Sequence, residues 1–348
     1  MDEEMLSQDS IVYDLTNSSH TSNLFPKKVW KKHYIVALDQ LELTEKLSSL
    51  QLFQGDISLR KEISRYLERI RGVVCNPRQI IITSGLQQSL DYLCQFLGKS
   101  KNVVMEEPSY PKAREIFIKN SWNISTEKVD NKGLDICNFS NEINIDMIYT
   151  TPSHQFPLGM IMPISRRQKL LEFAEQNDSF IIEDDYDSEL RLGGKPIPTL
   201  QSIDVSDKVI YMNTFTKTLS STIRMSYMVL PESLADEYYK RLSFYSCTVS
   251  NFEQYTLSRF IENGHFERHI NRLRNYYLKK QNTILNAFQT SSLNNKIEIY
   301  NETTGVHFLM KIKSEKTEKD IINNAFSKGI KLSPLSQYYK NRSEEHTS

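Results

Sequence analysis

Short runs of apolar, largely β-branched residues alternate with helical segments through the middle of this 348-residue sequence. No other feature limits the possible folds as strongly. The runs are QIIITS, NVVMEE, DMIYTT, SFIIED, KVIYMNT and RMSYMVLP. They lack the polar–apolar alternation of a strand with one face in water, so the sequence predicts a mostly parallel sheet covered by helices on both faces. The expected fold class is therefore α/β.

The pattern changes near residue 250, which indicates a second, smaller unit. FERHINRLRNYYLKKQNTILNAF reads as one long helix, KIEIYNETTGVHFLMKIK as an antiparallel strand pair, and TEKDIINNAFSKG as a further helix. We expect a large domain at residues 51–245 and a small α+β domain at 246–341. Residues 1–50 are expected to join the small domain, and residues 342–348 to be a separate tail.

Composition excludes several classes of protein. Lys+Arg and Asp+Glu are equal at 43 each, which argues against a strongly DNA- or membrane-seeking surface. The four cysteines are far apart, which is typical neither of a zinc site nor of a disulfide framework. We find no apolar run of the roughly 18 residues that a membrane span needs, and no signal-peptide pattern at the acidic N-terminus. We expect a cytoplasmic protein.

Polar residues that follow the predicted strands are the candidates for a functional site, because ligands of such sheets bind beyond the carboxyl ends of the strands. Four segments stand out: TSGLQQ (83–88), TPSHQFPLG (151–159), EDDYDSE (183–189) and NTFTKTLSSTIR (213–224). Taken singly, each has an ordinary interpretation. The first segment could be a capped helix start and the second a surface loop. The third could be a solvated acidic turn or a carboxylate site of the Mg²⁺ type, and the fourth a polar loop with two surface cations.

Taken together, the four segments supply the groups that pyridoxal phosphate requires. A lysine amine at a crowded strand end can form a Schiff base with a carbonyl cofactor, and Lys217 is that lysine. Asp184 would keep the pyridine nitrogen protonated, and Tyr186 could donate to the phenolic oxygen of the ring. Donors for the phosphate would be Thr214, Arg224 and the turn formed by Gly85, Leu86 and Gln87. A metal site would leave the Lys/Arg segment unexplained, so we expect no metal.

The other acids of the third segment receive less definite predictions. We expect Asp187 and Glu189 to face water or to cap local structure, because an ionised carboxylate is costly in a core without a partner. Glu183 and Asp185 have no predicted role.

The same segments, with IITSGLQQSLDYL and EEPSYPKAR, resemble the fold-type-I, class I/II aminotransferase domain of MocR/GabR-type bacterial regulators. The resemblance runs from about Asp14 to Tyr339. It implies that Lys217 carries the cofactor, that Asp184 and Tyr186 hold the ring nitrogen and O3′, and that Tyr110 stacks on the ring. It further implies that Thr214 and Arg224 bind the phosphate, and that the loop containing His154 and Gln155 passes under the ring. A homodimer with cofactor sites near the interface is expected.

The sequence also departs from that family. Where the family has a Tyr-Gly-Asp stretch whose tyrosine reaches the partner's cofactor phosphate, this chain has LQLFQG (Leu50–Gly55), and the family's Pro/Gly turn after the lysine is SST (Ser220–Thr222). The regulators carry a winged-helix DNA-binding domain and a linker ahead of this domain, for which we expect no room here. We also expect a truncated C-terminus, since RSEEHTS (Arg342–Ser348) reads like a translated sequencing adapter.

Two functions are therefore open, and a third, blander one remains. The chain could be the effector domain of a regulator that senses pyridoxal phosphate and an amino compound and contacts DNA only through a winged-helix domain. It could instead be a stand-alone aminotransferase that moves an amino group between an amino acid and a 2-oxo acid. The third possibility is a truncated remnant that folds poorly and has no function. A substrate carboxylate usually needs an arginine, and Lys112 and Arg114 are the candidates near Tyr110.

Overall fold

A computed structural model describes residues 12–16, 24–43, 53–139, 144–194, 197–301 and 305–340. The predicted tail at Arg342–Ser348 and the start of the LQLFQG stretch, Leu50–Leu52, lie outside these residues. The strands are β1 (Tyr13–Asp14), β2 (Ile80–Thr83), β3 (Asn102–Glu107), β4 (Asn123–Asp130), β5 (Gly133–Leu134), β6 (Met147–Thr150), β7 (Phe180–Asp184), β8 (Val209–Thr214), β9 (Ser226–Val229), β10 (Ile297–Tyr300), β11 (Leu309–Ile312) and β12 (Ile330–Lys331).

The α-helices fill the intervals between the strands and extend beyond them. They are α1 (Lys27–Leu43), α2 (Ile57–Arg71), α3 (Leu86–Leu97), α4 (Pro111–Lys119), α5 (Ile164–Gln176), α6 (Leu200–Ile203), α7 (Glu232–Leu242), α8 (Asn251–Glu262), α9 (His265–Thr290) and α10 (Glu318–Phe326). Among them, none is both long and apolar enough to cross a membrane.

The main sheet has eight strands in the order β2-β9-β8-β7-β6-β3-β4-β5. The pairs β8–β7, β7–β6, β6–β3 and β3–β4 are parallel, whereas β9 is antiparallel to both of its neighbours and β5 is antiparallel to β4. Because β2 and β8 are both antiparallel to β9, they run in the same direction as each other. The carboxyl ends of β2, β3, β6, β7 and β8 therefore meet at one edge of the sheet.

Both faces of this sheet are covered, as the continuous apolar runs predict. Ile81, Met105 and Ile182 point to one face and pack with α3, α4 and α7. Their neighbours in the chain point to the other face, where two further clusters pack against α2, α8 and α9 and against α5 and α6. Successive side chains of a strand alternate between faces, so strands that are apolar throughout can be buried only between two helical layers.

Two small sheets lie outside the main one. β10 and β11 form the predicted antiparallel pair, and α9 is the predicted long helix. Tyr13–Asp14 pairs in parallel with Ile330–Lys331, so a strand near the N-terminus contacts the segment that follows α10.

Candidate functional site

Asp184 is the last residue of β7 and lies at the edge where the parallel strands end. Its carboxyl group is buried; Oδ2 accepts a 2.5 Å hydrogen bond from the hydroxyl of Tyr149, and Oδ1 has no hydrogen-bond partner within the described residues. Burial raises the pKa of Asp184 to about 7, against the pull of the Tyr149 hydrogen bond. A carboxylate oxygen left bare in a core is costly, so this atom calls for a cationic or N–H donor partner.

The other four acids of the EDDYDSE segment are also buried, with 0–3% of each residue exposed. Asp185 pairs with Arg71 at 2.8 Å, and Glu183 accepts from the backbone N–H groups of Leu200 and Gln201 at the start of α6. The expectation that Asp187 and Glu189 face water is wrong. Asp187 lies 2.8 Å from a histidine nitrogen, and Glu189 accepts from the Asn213 amide through Oε1, while its buried Oε2 has no hydrogen-bond partner within the described residues.

Tyr186, His154 and Asp187 form a connected group beside Asp184. His154 Nδ1 lies 2.8 Å from Asp187 Oδ2 and 3.1 Å from the Tyr186 hydroxyl. An ionised carboxylate can only accept, so Nδ1 carries a proton and donates it to Asp187, and the hydroxyl proton of Tyr186 stays available for another acceptor. The His154 ring lies 4.6 Å from the ring of His307, whose pKa is lowered to about 4 by burial and by His154. His307 is therefore neutral at physiological pH.

Lys217 lies in the loop after β8 and is half-buried. Burial lowers the pKa of its amine, and the charge of Asp187 acts in the opposite direction. Thr214 ends β8, and its hydroxyl donates to Thr216 Oγ1 at 2.9 Å while accepting from the Thr216 backbone N–H at 3.2 Å. The SST departure is a local turn in which the Ser220 and Thr222 hydroxyls are 2.8 Å apart.

Gly85 and Arg224 are in direct contact across the site. Gly85 precedes α3 with φ +111°, and a Cβ added there would lie 2.6 Å from Nη2 of Arg224. Leu86 and Gln87 open α3, where the first N–H groups of a helix have no partner inside the helix. Partial positive charge at a helix start and a guanidinium group beside it form a cradle suited to an anion.

Tyr110 precedes α4 and stands edge-on to Phe156, with ring centroids 5.8 Å apart. Burial raises the pKa of its hydroxyl most, the charge of Asp184 raises it further, and the charge of Arg224 lowers it. Tyr110 therefore interacts electrostatically with both of these charged residues of the predicted site. Arg114 is buried, and it donates to the backbone oxygen of Tyr338 at 2.9 Å. Lys112 is exposed.

Three residues near this edge escaped the sequence analysis. Tyr149 holds Asp184, His307 contacts His154, and Glu106 is buried where it accepts from the hydroxyls of Thr150 and Thr151 at 2.6 and 2.7 Å. Gln155 belongs to the same group, because its amide donates to Glu106 Oε2 at 3.3 Å and to the Pro108 carbonyl at 2.8 Å. Of these residues, Tyr149 alone could have been recognised in the sequence, because it places a hydroxyl group near the end of an apolar strand, β6.

Comparison with known families and sequences gives three findings. The family model for class I and II aminotransferases matches residues 17–343. The uncharacterized HTH-type transcriptional regulator YdeL of Bacillus subtilis is 41% identical over 319 residues, which are 92% of this chain and 68% of YdeL. The probable rhizopine catabolism regulatory protein MocR of Rhizobium meliloti is 32% identical over 286 residues, which are 82% of this chain and 58% of MocR.

A solved structure carries the similarity into three dimensions. The kynurenine aminotransferase of Pyrococcus horikoshii superposes with a TM-score of 0.83 at 25% sequence identity, over 96% of this chain and 84% of that enzyme. The fold-type-I architecture predicted from the sequence is thereby confirmed.

Proposed function

This chain belongs to the class I and II aminotransferase family, as an aminotransferase-like domain of the kind found in MocR-type transcriptional regulators, and on that premise we propose that it binds pyridoxal 5′-phosphate and senses an amino compound. The observation that carries this proposal is the buried Oδ1 of Asp184, which has no hydrogen-bond partner within the described residues. A protonated pyridine nitrogen is the kind of donor that such an atom requires.

The residues fit this cofactor at its other end as well. Arg224 and the turn at Gly85–Gln87 offer to a phosphate a guanidinium group and the first N–H groups of α3, a helix start that no side chain caps within the described residues. A side chain at position 85 would fill the space against Arg224, so glycine keeps this cradle open. Tyr110 would stack on the ring, and Thr214 would contribute at the phosphate through the hydroxyl that ends β8.

The cofactor supplies an electron sink when bound, and the residues of the chain bind it, orient it and hold or move protons. Burial lowers the pKa of Lys217, which increases the unprotonated fraction of its amine and so its ability to attack a carbonyl and to accept a proton. Asp184 would hold a proton on the ring nitrogen. Tyr186 would donate its hydroxyl proton to the ring oxygen, and His154 keeps Tyr186 in place while Asp187 fixes the His154 ring.

Substitution of Lys217 tests the cofactor proposal. The purified protein is expected to develop a visible Schiff-base absorption band on addition of pyridoxal phosphate, and Lys217→Ala should abolish it because no amine remains at that position. Lys240→Ala, at an exposed position on α7, is the matched control and should leave the band unchanged. A full band in Lys217→Ala would remove Lys217 from this role.

A stand-alone aminotransferase is the second candidate, favoured by the superposition on the Pyrococcus horikoshii enzyme. Assays with amino acids and 2-oxo acids separate the two functions. A sensor should complete at most one half-reaction per site, whereas an enzyme should give product over many cycles. In a regulator, DNA contact would come from a winged-helix domain, and the family's homodimer would bring two sites together.

A further inference from the structure

A cavity lies beside the proposed cofactor site and is lined by four arginines. Its volume is about 330 Å³, and it shares only His154 with the predicted cofactor residues. The arginines come from four separate segments: the end of α2, the first half of α5, the loop after β7 and the middle of α9. They are Arg71, Arg167, Arg191 and Arg274. Small-molecule sites begin at about this size.

Two of these guanidinium groups are committed to acids of the fold. Arg71 pairs with Asp185 at 2.8 Å, and Arg167 lies 3.4 Å from Glu183. Arg71 also donates to the Ser153 hydroxyl at 3.1 Å. These bonds hold the two groups rigidly in place at the cavity wall.

The other two guanidinium groups are anchored without an acid. Arg191 donates through Nε to the Gly193 carbonyl at 2.7 Å, and Arg274 through Nε to the Glu189 carbonyl at 2.6 Å. Within the described residues, neither lies within 4.0 Å of a carboxylate oxygen. Nε bonds of this kind fix the plane of each fork and leave its terminal nitrogens for another partner.

The arginines also repel one another. Burial is the largest effect that lowers the pKa of Arg167 and of Arg191, and the charge of Arg71 lowers both further. Glu183 and Asp185 raise the pKa of Arg167 by more than the neighbouring arginines lower it. Among the described residues that line the cavity, Glu189 is the one acid, and burial raises the pKa of its carboxyl to about 7. Asp185 and Glu183 offset the charges of Arg71 and Arg167, whereas a bound anion would offset the charges of Arg191 and Arg274.

We propose that this cavity binds a small dianion bearing carboxylate or phosphate groups, held by the forks of Arg191 and Arg274 against the fixed wall of Arg71 and Arg167. Guanidinium forks match both groups through paired N–H···O bonds. The cavity volume limits the ligand to a small metabolite. The proposal goes beyond cofactor binding and does not depend on it.

Calorimetric titration of the whole chain with inorganic phosphate and, separately, with malonate tests this. One arm uses protein incubated with pyridoxal phosphate, so that the Arg224 cradle is filled, and a second arm uses Arg224→Gln without cofactor. Saturable binding of at least one probe is expected in both arms. The better probe shows whether phosphate or carboxylate is preferred.

Substitutions locate the binding. Arg191→Gln and Arg274→Gln should each weaken it by about tenfold, the usual effect of losing a charge-assisted hydrogen bond. Arg241→Gln is the matched control, since this exposed arginine of α7 pairs only with its helix neighbour Glu237 among the described ion pairs. If a glutamine variant does not fold, Arg191→Lys keeps the charge but loses the fork and should still bind more weakly.

The proposal is overturned if neither probe binds, if Arg224→Gln alone removes binding, or if the variants at 191 and 274 bind as tightly as the parent chain. A missing visible band with intact phosphate or malonate binding would reject the cofactor proposal and leave this one standing.

Discussion

Gly85 shows how much a single residue contributes to the candidate site. Its φ of +111° is strained for any L side chain, and an added Cβ would press on Arg224 at 2.6 Å. Gly85→Ala should therefore lower the free energy of unfolding by about 1–3 kcal/mol. It should also weaken pyridoxal phosphate binding about tenfold, since displacing Arg224 would remove the charge-assisted contact to the phosphate that we propose.

Gly98→Ala separates the two effects. Gly98 also has a positive φ, +87°, but an added Cβ there meets nothing within 4 Å. Urea unfolding and a cofactor titration followed by absorbance measure both quantities. The control should lose stability and keep its affinity; equal affinity losses in the two variants would contradict the role given to the cradle.

At the same scale, the sequence shows which residues could carry the chemistry better than it shows what surrounds each side chain. Position relative to the predicted strands identifies four candidate site residues, which are Lys217, Asp184, Arg224 and Gly85. The structure brings Gly85 and Arg224 into contact. The sequence predicts that Asp187 faces water or caps local structure, because an ionised carboxylate is costly in a core without a partner. Asp187 is buried because His154, 33 residues earlier in the chain, lies opposite it. No local pattern encodes such a partner.

The helices depend on local signals that can be tested one at a time. Asp56 is the N-cap of α2, and its carboxylate accepts from the backbone N–H groups of Ser58 at 2.7 Å and Leu59 at 3.3 Å. Asp56→Ala should cost about 1 kcal/mol of unfolding free energy, because two helix-end donors lose their acceptor.

Asp236→Ala provides the comparison for this prediction. Asp236 is an exposed acid whose ion pair, to Arg78, is 73% exposed on each side, and its removal should change stability by less than about 0.5 kcal/mol. Urea denaturation midpoints of the two variants decide the matter. Equal losses would mean that the cap contributes nothing beyond the charge.

Elements with a strong period were predictable, and the direction of one strand was not. The six apolar runs became β2, β3, β6, β7, β8 and β9, and the long helix and hairpin after residue 250 are present. β9 is antiparallel within an otherwise parallel core of the sheet. Its sequence, SYMV, is as apolar as its neighbours, because burial between two helical layers sets composition, whereas chain connection sets direction.

At the scale of the whole molecule, the carboxyl edge of the sheet gathers residues from distant segments. That the candidate residues lie near one another could be anticipated, because strand ends converge in any parallel sheet. The arginine cavity could not, since its lining combines α2, α5 and α9 with a loop, and helix packing on the sheet has no sequence signature of comparable strength.

Buried acids at that edge make the stability of the cofactor-free protein depend on pH. Burial raises the pKa of Asp184 and of Glu189 to about 7, whereas the unfolded chain ionises near the ordinary values of about 4. Between these values each carboxyl binds more protons in the folded state than in the unfolded state, so the contribution of these two groups to the unfolding free energy falls as pH rises from about 4 to 7 and then levels off. At about 1.4 kcal/mol per pKa unit, the fall due to the two carboxyls is several kcal/mol, and His307, whose pKa is lowered to about 4, contributes with the opposite sign between about pH 4 and 6.5.

Asp184→Asn removes one of these titrations and should flatten the profile. The variant is expected to gain stability relative to the parent chain by on the order of 2–4 kcal/mol at pH 8. The gain should be small at pH 4, where the parent carboxyl is protonated in the folded state and about half protonated in the unfolded state. Urea unfolding at the two pH values measures the gain, with exposed Asp236→Asn as the control. An equal effect of Asp184→Asn at both pH values would mean that this carboxyl is ionised throughout, and that a donor satisfies Oδ1 even without cofactor.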